Sequence, residues 1–460
     1  MDDMRDRCGA NFRRLAQWAA ATEAQAIPPL VMDKAARILA DDLSAIVGAR
    51  AEPELVRFQQ RMLARRGPPE ATVWRGGTDR TGRIDAAVCN ALAADFLELD
   101  EGYRPVPCHA GLYVLPALLA HAEAANLSCQ DLLRALVLGY EVVTRVARGF
   151  EVDKVVMQSH GRYAALGAAA GVGIAKGMDA DMLAAALGAA VTLIGPGPRN
   201  HLAEGAMIRN AWPASGAWNG LMAIEWTECG LGGIPEAVYD VYATVLGARP
   251  VPQRMVDGLG EQWAVLDGYT KIYACCQHLH SAVEAALQLR AEHPDLARPG
   301  AIERIDVQTH PLALPLVNPA PGTTLGAKFS MPHAVAAALL QGHAGAAAFS
   351  SDTLADAAIG QLRQRVATTA WEPLLPAPND RPARVTVRLA DGSILSAECL
   401  SARGGPDRPL PADTWRTKLI ELAQPVYPRI VAVLDEIVSG DARRRAQPWP
   451  DLVREMTQSP

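Results

Sequence analysis

The sequence is poor in aromatic residues and has no apolar run long enough to cross a membrane. Phe, Trp and Tyr make up 5% of its 460 residues, which disfavours large β-sheets because aromatic and β-branched side chains pack best there. The uncharged stretch 182–198 is interrupted by glycine and proline and is shorter than the about 20 apolar residues of a transmembrane helix. The composition predicts a helical globular protein without a membrane span.

The chain also lacks an excess of positive charge. Its 44 Lys and Arg residues oppose 50 Asp and Glu residues, for a net charge of −6, so no basic field attracts nucleic acid or an anionic membrane. The eight cysteines form no CxxC pair, and the first residues lack the apolar segment of a secretion signal. These features predict a cytoplasmic protein with no nucleic-acid or membrane partner.

Nucleotide and zinc motifs are missing as well. No GxxxxGK(S/T) sequence occurs, and GVGIAKG at 171–177 lies within a helical pattern, where small residues that pack helix on helix explain it better than a dinucleotide. The CCQHLH segment at 275–280 does not have the usual zinc spacings, so no metal site is predicted. GPGPRNH at 195–201 favours a helix-breaking loop, with a substrate loop as the alternative.

Alanine-rich segments with apolar residues every three or four positions dominate the first part of the chain and predict helices. These segments are 28–47, 85–97, 115–125, 129–148, 162–176, 180–193 and 215–229. Several are apolar on most faces, which is typical of helices buried in a large core.

The pattern changes after about residue 268. Alternating apolar and polar residues at 302–309, and on both sides of Asp391-Gly392, predict strands and a hairpin. Helical patterns at 281–292, 332–340 and 351–365 accompany them, and 415–438 is helical again. The predicted fold is mainly α: a helical domain at 1–267, an inserted, smaller α/β domain at 268–410, and a helical segment at 411–460 that rejoins the first domain.

A series of short blocks in one order along most of the chain resembles the MmgE/PrpD family. The blocks are NALAADFLELDEG at 90–102, His109 with Gly111, GYE at 139–141, SHGRYAALGAAAG from 159, EGAMIRN from 204, KIYACCQHLH from 271 and KFSMPH from 328. That family includes 2-methylcitrate dehydratases, cis-aconitate decarboxylases and iminodisuccinate epimerases. The resemblance implies a lid-like α/β domain, a homodimer, and catalysis on small di- or tricarboxylates without a metal or organic cofactor.

The resemblance also assigns residues of the N-terminal blocks. Glu98 stands where the family usually has the first Asp of an LDFDDT-like segment, and Asp100 matches an acidic residue that follows. His109 matches the histidine of HPG, and His160 matches that of GFHPT, here SHGRY.

Further matches lie in the later blocks. Lys271 and Tyr273 match the lysine and aromatic residue of KxYPxC, and His280 closes that segment. Three positions depart from the family: Gly102 replaces a common Thr, Arg209 a Lys, and His333 a Tyr. Arginine offers a planar, two-pronged donor where lysine offers a point charge, so these departures alter the expected pocket.

Family members move a proton at a carbon next to a carboxylate, which requires an acid or base and cations for the carboxylates. Histidine titrates near neutral pH, and lysine or arginine can hold a carboxylate. The predicted catalytic residues are His160, His109, Lys271 and Tyr273. The residues predicted to bind substrate are Arg209, Glu98, Asp100, His280 and His333.

Each of these residues has a structural alternative. A lone histidine among apolar residues is ordinarily a hydrogen-bonded core residue, Lys271 and Arg209 could be surface cations, and acidic residues at a helix end ordinarily face solvent.

Dehydration of a 2-methylcitrate-like hydroxy acid is the leading interpretation. Epimerisation or isomerisation of a dicarboxylate is next, because proton abstraction at the same carbon needs the same groups. Decarboxylation of the cis-aconitate type is third, weakened by the three departures. A catalytically inactive, dimeric binding protein is the alternative from another class. The pocket is expected between the two domains.

Overall fold

The computed structural model describes residues 2–298 and 300–458, and its fold is mainly α, as predicted. The first part of the chain forms helices α1 (Asp2–Ala21), α2 (Pro29–Gly48), α3 (Pro53–Leu63), α4 (Arg83–Phe96), α5 (Ala110–Ala124), α6 (Cys129–Arg148), α7 (Ser159–Ala175), α8 (Ala180–Thr192), α9 (Asn200–Ala203), α10 (Trp212–Glu228) and α11 (Ala237–Tyr239). Two-residue strands form three small ladders between them: β1 (Ala71–Thr72) with β2 (Arg80–Thr81), β3 (Gly102–Tyr103) with β6 (Gly268–Tyr269), and β4 (Phe150–Glu151) with β5 (Arg249–Pro250).

Helix α7 is the centre of the helical core and packs against α5, α6, α8 and α10. Small residues let these helices approach closely. A Cβ at Gly171 would lie 2.7 Å from Val114 Cγ1, and one at Gly216 would lie 2.3 Å from Ala164 Cβ. The GVGIAKG segment therefore serves helix packing, as the sequence indicated.

The α/β part is built on a four-stranded sheet with the order β10-β9-β7-β8. Its strands are β7 (Ile302–Thr309), β8 (Val366–Ala370), β9 (Ala383–Leu389) and β10 (Ile394–Cys399). β9 is antiparallel to β7 and β10, whereas β8 is parallel to β7. Helices α12 (His280–Glu292), α13 (Thr324–Lys328), α14 (Met331–Gln341), α15 (Ser351–Ala355) and α16 (Ala357–Arg363) complete this part.

The last four helices pack on the N-terminal core. They are α17 (Ala412–Ala423), α18 (Ile430–Val438), α19 (Ala442–Ala446) and α20 (Trp449–Thr457), and they contact α2, α5 and α6. Buried Lys418 on α17 donates hydrogen bonds to Asp41 Oδ1 at 2.7 Å and to the Leu99 carbonyl at 2.8 Å. The end of the chain thus supports the segment that follows α4.

Two helices begin earlier than their sequence patterns indicated, and a histidine lies at the start of each. α5 begins at Ala110 rather than at 115, which places His109 immediately before its first turn. α7 begins at Ser159 rather than at 162, which places His160 in its first turn. None of the helices in the described part of the chain is both long and apolar enough to cross a membrane.

Candidate active site

The acidic segment after α4 is buried rather than solvated. Glu98, Asp100 and Glu101 are at most 2% exposed, and Glu98 adopts the left-handed backbone conformation with φ of 55°. Lys328 Nζ donates a 2.6 Å hydrogen bond to the carbonyl of Phe96, the last residue of α4. Because buried carboxylates are costly unless they are paired, this segment requires cations nearby.

Lys271 is one of these cations. Its Nζ lies 3.2 Å from Asp100 Oδ1 and 3.4 Å from Glu98 Oε2, and its side chain is fully buried. Burial alone would lower the pKa of Lys271, but the two carboxylates outweigh it and hold that pKa well above its usual value. Lys271 stays charged and fixes both acidic side chains.

Arg209 is the second cation. Its Nη1 lies 2.6 Å from Asp95 Oδ1 and 2.5 Å from Glu98 Oε1, and its guanidinium stacks on the Phe329 ring at 5.1 Å. Burial favours the neutral form of Asp95, but Arg209 and His160 overcome this effect and lower the Asp95 pKa. Glu98 therefore bridges the two cations.

His109 connects this cluster to a cavity. Its Nδ1 lies 2.6 Å from Asp100 Oδ2 and 3.0 Å from the Glu101 carbonyl oxygen. The pKa of Asp100 is lowered because Lys271 and His109 outweigh the effect of burial. An ionised Asp100 accepts a hydrogen bond from the Nδ1–H group, so Nε2 is the ring nitrogen left for other contacts. Within the described residues Nε2 forms no hydrogen bond, and the side chain is 14% exposed to the cavity.

His160 lies behind His109 and is completely buried. Its Nε2 lies 3.1 Å from Asp95 Oδ1, and its Nδ1 lies 2.9 Å from the Tyr113 hydroxyl. Burial lowers the pKa of His160 and outweighs the nearby Asp95 carboxylate. The neutral ring donates from Nε2 to Asp95 and accepts from Tyr113, so both nitrogens are engaged.

Glu101 faces away from the cavity. Its Oε1 accepts a 2.6 Å hydrogen bond from the Gly111 amide, and its Oε2 accepts one of 3.1 Å from the Tyr140 hydroxyl. Burial, the largest effect, raises the pKa of Glu101 to about 7. A Cβ at Gly111 would lie 2.7 Å from the Asp42 and Glu101 side chains, so only glycine fits there.

The cavity lies between the helical core and the α/β part. It has a volume of about 40 Å³, and its lining includes Glu98, His109, Arg209, His278 and Arg381. It adjoins a wider cavity of about 1380 Å³, with which it shares Pro107, Ser159, Arg199, Leu202 and Arg381. The small cavity has room for one carboxylate-sized group beside His109, and the wide cavity provides its entrance.

Three residues predicted for the site do not join the cluster. Tyr273 accepts a 3.1 Å hydrogen bond from Arg403, and His280 Nε2 lies 3.1 Å from the Cys275 carbonyl oxygen. His333 Nε2 lies 3.0 Å from the Ala348 carbonyl oxygen, and its backbone N–H donates to Ser330 at the start of α14. None of the three lines either cavity. The rings of Tyr273 and His280 meet edge to face with centroids 5.2 Å apart, and all three residues are buried.

Several residues of the site were not among those predicted. Asp95 lies one helical turn before Glu98, so its spacing could have revealed it. Tyr113 follows His109 by four residues, also about one helical turn, and reaches His160. His278 and Arg381 carry no local signal, because the fold of the α/β part brings them to the cavity.

Comparison with known families agrees with this architecture. Residues 13–248 match the MmgE/PrpD N-terminal domain, and residues 273–439 match the MmgE/PrpD C-terminal domain. The chain belongs to the MmgE/PrpD family. The resemblance found in the sequence is thereby confirmed.

Curated relatives within the MmgE/PrpD family are distant but similar in length. A cis-aconitate decarboxylase of Aspergillus terreus is 25% identical, over 97% of this chain and 96% of that protein. A second, from Aspergillus terreus strain NIH 2624, is 26% identical over the same shares. The cis-aconitate decarboxylase-like protein oryM of Aspergillus oryzae is 26% identical over 76% of this chain and 78% of that protein. These relatives support a carboxylate-directed lyase family.

Proposed function

We propose that this chain is a lyase of small polycarboxylates in which His109 transfers a proton at a carbon next to a carboxylate. The observation that carries this proposal is the position of His109 between ionised Asp100 and the cavity. Asp100 orients the ring and stabilises its protonated form, and Nε2 is left free to act as an acid or a base.

The reaction favoured by this arrangement is decarboxylation of an unsaturated tricarboxylate of the cis-aconitate type. The bond from carbon to the departing carboxylate breaks, carbon dioxide leaves, and the electron pair stays on the substrate, delocalised toward a remaining carboxylate. The Nε2–H of protonated His109 then supplies a proton to carbon, and His109 becomes neutral. Arg209, which lines the cavity beside Glu98, stabilises the developing negative charge.

We favour decarboxylation over dehydration because decarboxylation needs only one proton donor at the reacting carbon. Dehydration requires a base for the carbon-bound proton and an acid for the departing hydroxyl. The sequence suggested His160 as the second group, but both of its nitrogens are engaged inside the protein. The three curated relatives, which are named cis-aconitate decarboxylase or cis-aconitate decarboxylase-like protein, also favour decarboxylation over dehydration.

Dehydration of a hydroxy tricarboxylate is the second candidate, because a second histidine lines the cavity. His278 Nδ1 is buried and has no hydrogen-bond partner among the described residues. Burial holds the pKa of His278 well below its usual value, so the ring is neutral but only a weak base, which keeps dehydration behind decarboxylation.

Proton NMR in D2O tests these assignments. Purified protein is incubated separately with cis-aconitate and with 2-methylcitrate. We expect cis-aconitate to lose carbon dioxide and to yield a five-carbon dicarboxylate with one deuterium on carbon. Loss of water from 2-methylcitrate with no change in cis-aconitate would instead establish dehydration. Binding of both acids without turnover or deuterium exchange would show an inactive binding protein and overturn the proposed function.

A further inference from the structure

The wide cavity beside the active site contains an arginine whose charge is not paired with a carboxylate. Arg162 lines this cavity and is 6% exposed. Its Nε has no hydrogen-bond partner, and its guanidinium forms no ion pair with a carboxylate of residues 2–298 or 300–458. The guanidinium carbon lies 5.8 Å from the centroid of the Tyr163 ring. A buried, unpaired charge is expensive, so a protein retains one where a ligand of opposite charge completes it.

Arg162 belongs to the first turn of α7, two residues after His160. The N-terminus of α7 also favours an anion, because its free amides and helix dipole carry partial positive charge. Ser159, the first residue of the helix, lines both cavities.

A second unpaired arginine faces the same space. Arg199 lines both cavities, and among the described residues its side chain has no hydrogen bond or ion pair. It belongs to the GPGPRNH loop, which is fixed to the start of α7. Gln158 N–H donates to the Gly197 carbonyl at 2.8 Å, and Gly195 N–H donates to the Gly161 carbonyl at 3.2 Å.

Glycine at position 161 makes this attachment possible, since a Cβ there would lie 2.6 Å from the Gly195 carbonyl oxygen. Gly161 therefore admits the loop that carries Arg199 next to Arg162.

Arg104 and Arg254, which also line the wide cavity, are paired, whereas Arg148 and Lys154 line it without an ion pair among the described residues. Arg104 lies 2.8 Å from Asp380 Oδ1, and Arg254 lies 2.5 Å from Glu151 Oε1. Among the cavity's cations that form no ion pair with the described residues, Arg162 alone is buried and Arg199 alone lines both cavities, so these two are the ones placed to meet a ligand that extends from the small cavity.

We infer that Arg162 and Arg199 bind a second anionic group of the substrate, outside the small cavity that holds the reacting end. This inference rests on the proposed function. It limits the substrates to acids that carry a third carboxylate, in addition to the two nearest the reacting carbon. The volume of about 40 Å³ beside His109 admits only one such group, whereas the wide cavity of about 1380 Å³ accommodates the remainder.

Calorimetric binding of unreactive acids tests this inference without turnover. The probes are propane-1,2,3-tricarboxylate, glutarate, which lacks the third carboxylate, and inorganic phosphate. We expect the wild type to bind the tricarboxylate about 10- to 100-fold more tightly than glutarate, as one charged hydrogen-bonded contact would give. In R162Q this preference should disappear, and R199Q should reduce it. The control R254Q, from the paired arginine of the same cavity, should keep the preference.

Thermal unfolding distinguishes a ligand site from a structural arginine. Because R162Q removes a charge that is not paired with a carboxylate, its Tm should be unchanged or raised. R162K keeps the charge but lacks the planar guanidinium, so it should bind the tricarboxylate with intermediate affinity. A preference retained in folded R162Q, or phosphate binding as tight as that of the tricarboxylate, would overturn the inference. Absence of turnover with the Arg162-dependent preference intact would reject the proposed function alone.

Discussion

The imidazole rings of His109 and His160 lie 4.9 Å apart between centroids in a T-shaped arrangement, yet only His109 reaches the cavity. Asp100 and Asp95 hold the two rings separately. One of the two histidines thus faces the cavity, where we propose that it transfers a proton, and the other is enclosed behind it.

D100N should remove the carboxylate that supports both His109 and Lys271. An amide cannot stabilise protonated His109 as a carboxylate does, and Lys271 keeps only Glu98 as a counter-charge. We expect kcat to fall by about 100-fold or more and the free energy of unfolding to fall by about 1–3 kcal/mol, because a buried charge loses a partner. Steady-state kinetics and urea unfolding on one preparation measure the two effects. An unchanged kcat would show that Asp100 does not act through His109.

G102A tests why this chain departs from the common threonine. A Cβ at Gly102 would lie 2.4 Å from Tyr269 Cζ and Oη, and the two residues pair across β3 and β6. Tyr269 also lines the small cavity. We expect overpacking to cost about 1–3 kcal/mol in stability and to raise KM as the ring moves. The double variant G102A/Y269L should recover part of the stability, and a fully stable G102A would contradict the steric interpretation.

Acid should destabilise the protein through its buried histidines. Burial lowers the pKa of His333 to about 4, below the about 6.5 of an unfolded chain. Below pH 6.5 the unfolded state binds a proton that the folded state does not, so stability is lost as pH falls from about 6.5 to about 4. For His333 this loss amounts to about 2 kcal/mol at pH 5.

H333Q should therefore show a smaller loss of stability between pH 7 and pH 5 than the wild type, by about 2 kcal/mol. Urea unfolding at the two pH values measures it. The matched control is H343Q, because His343 is exposed, and its pH dependence should equal that of the wild type. Equal slopes in all three proteins would show that His333 is not a buried neutral group.

The sequence predicted most of the fold because the apolar periodicity is strong. α6 was predicted with its observed limits, Cys129–Arg148, and β7 with its limits, Ile302–Thr309. β8 was missed, because a parallel strand of five partly exposed residues has no clear alternation. The predicted helix at 351–365 is interrupted where Asp356 caps a new helix by accepting a hydrogen bond from Ile359 N–H.

The site was predicted only where family motifs fell on residues that the fold brings together. Glu98, Asp100, His109, Arg209 and Lys271 form one ion-paired cluster across the two parts of the chain. Motif matching could not separate them from His280 or His333, because sequence does not show whether a histidine faces a cavity or a backbone carbonyl. It could not show that His160 is enclosed, for the same reason.

The most direct test of proton transfer by His109 is the comparison of H109Q with H160Q, with kcat for cis-aconitate and Tm measured on the same preparations. Glutamine removes the titratable ring and keeps much of its size. For H109Q we expect kcat to fall by about 10²–10⁴-fold with a nearly unchanged Tm, because the side chain is partly exposed to the cavity. For H160Q we expect a lower Tm, since two buried hydrogen bonds are disturbed. Near-normal kcat in a stably folded H109Q would contradict proton transfer by His109.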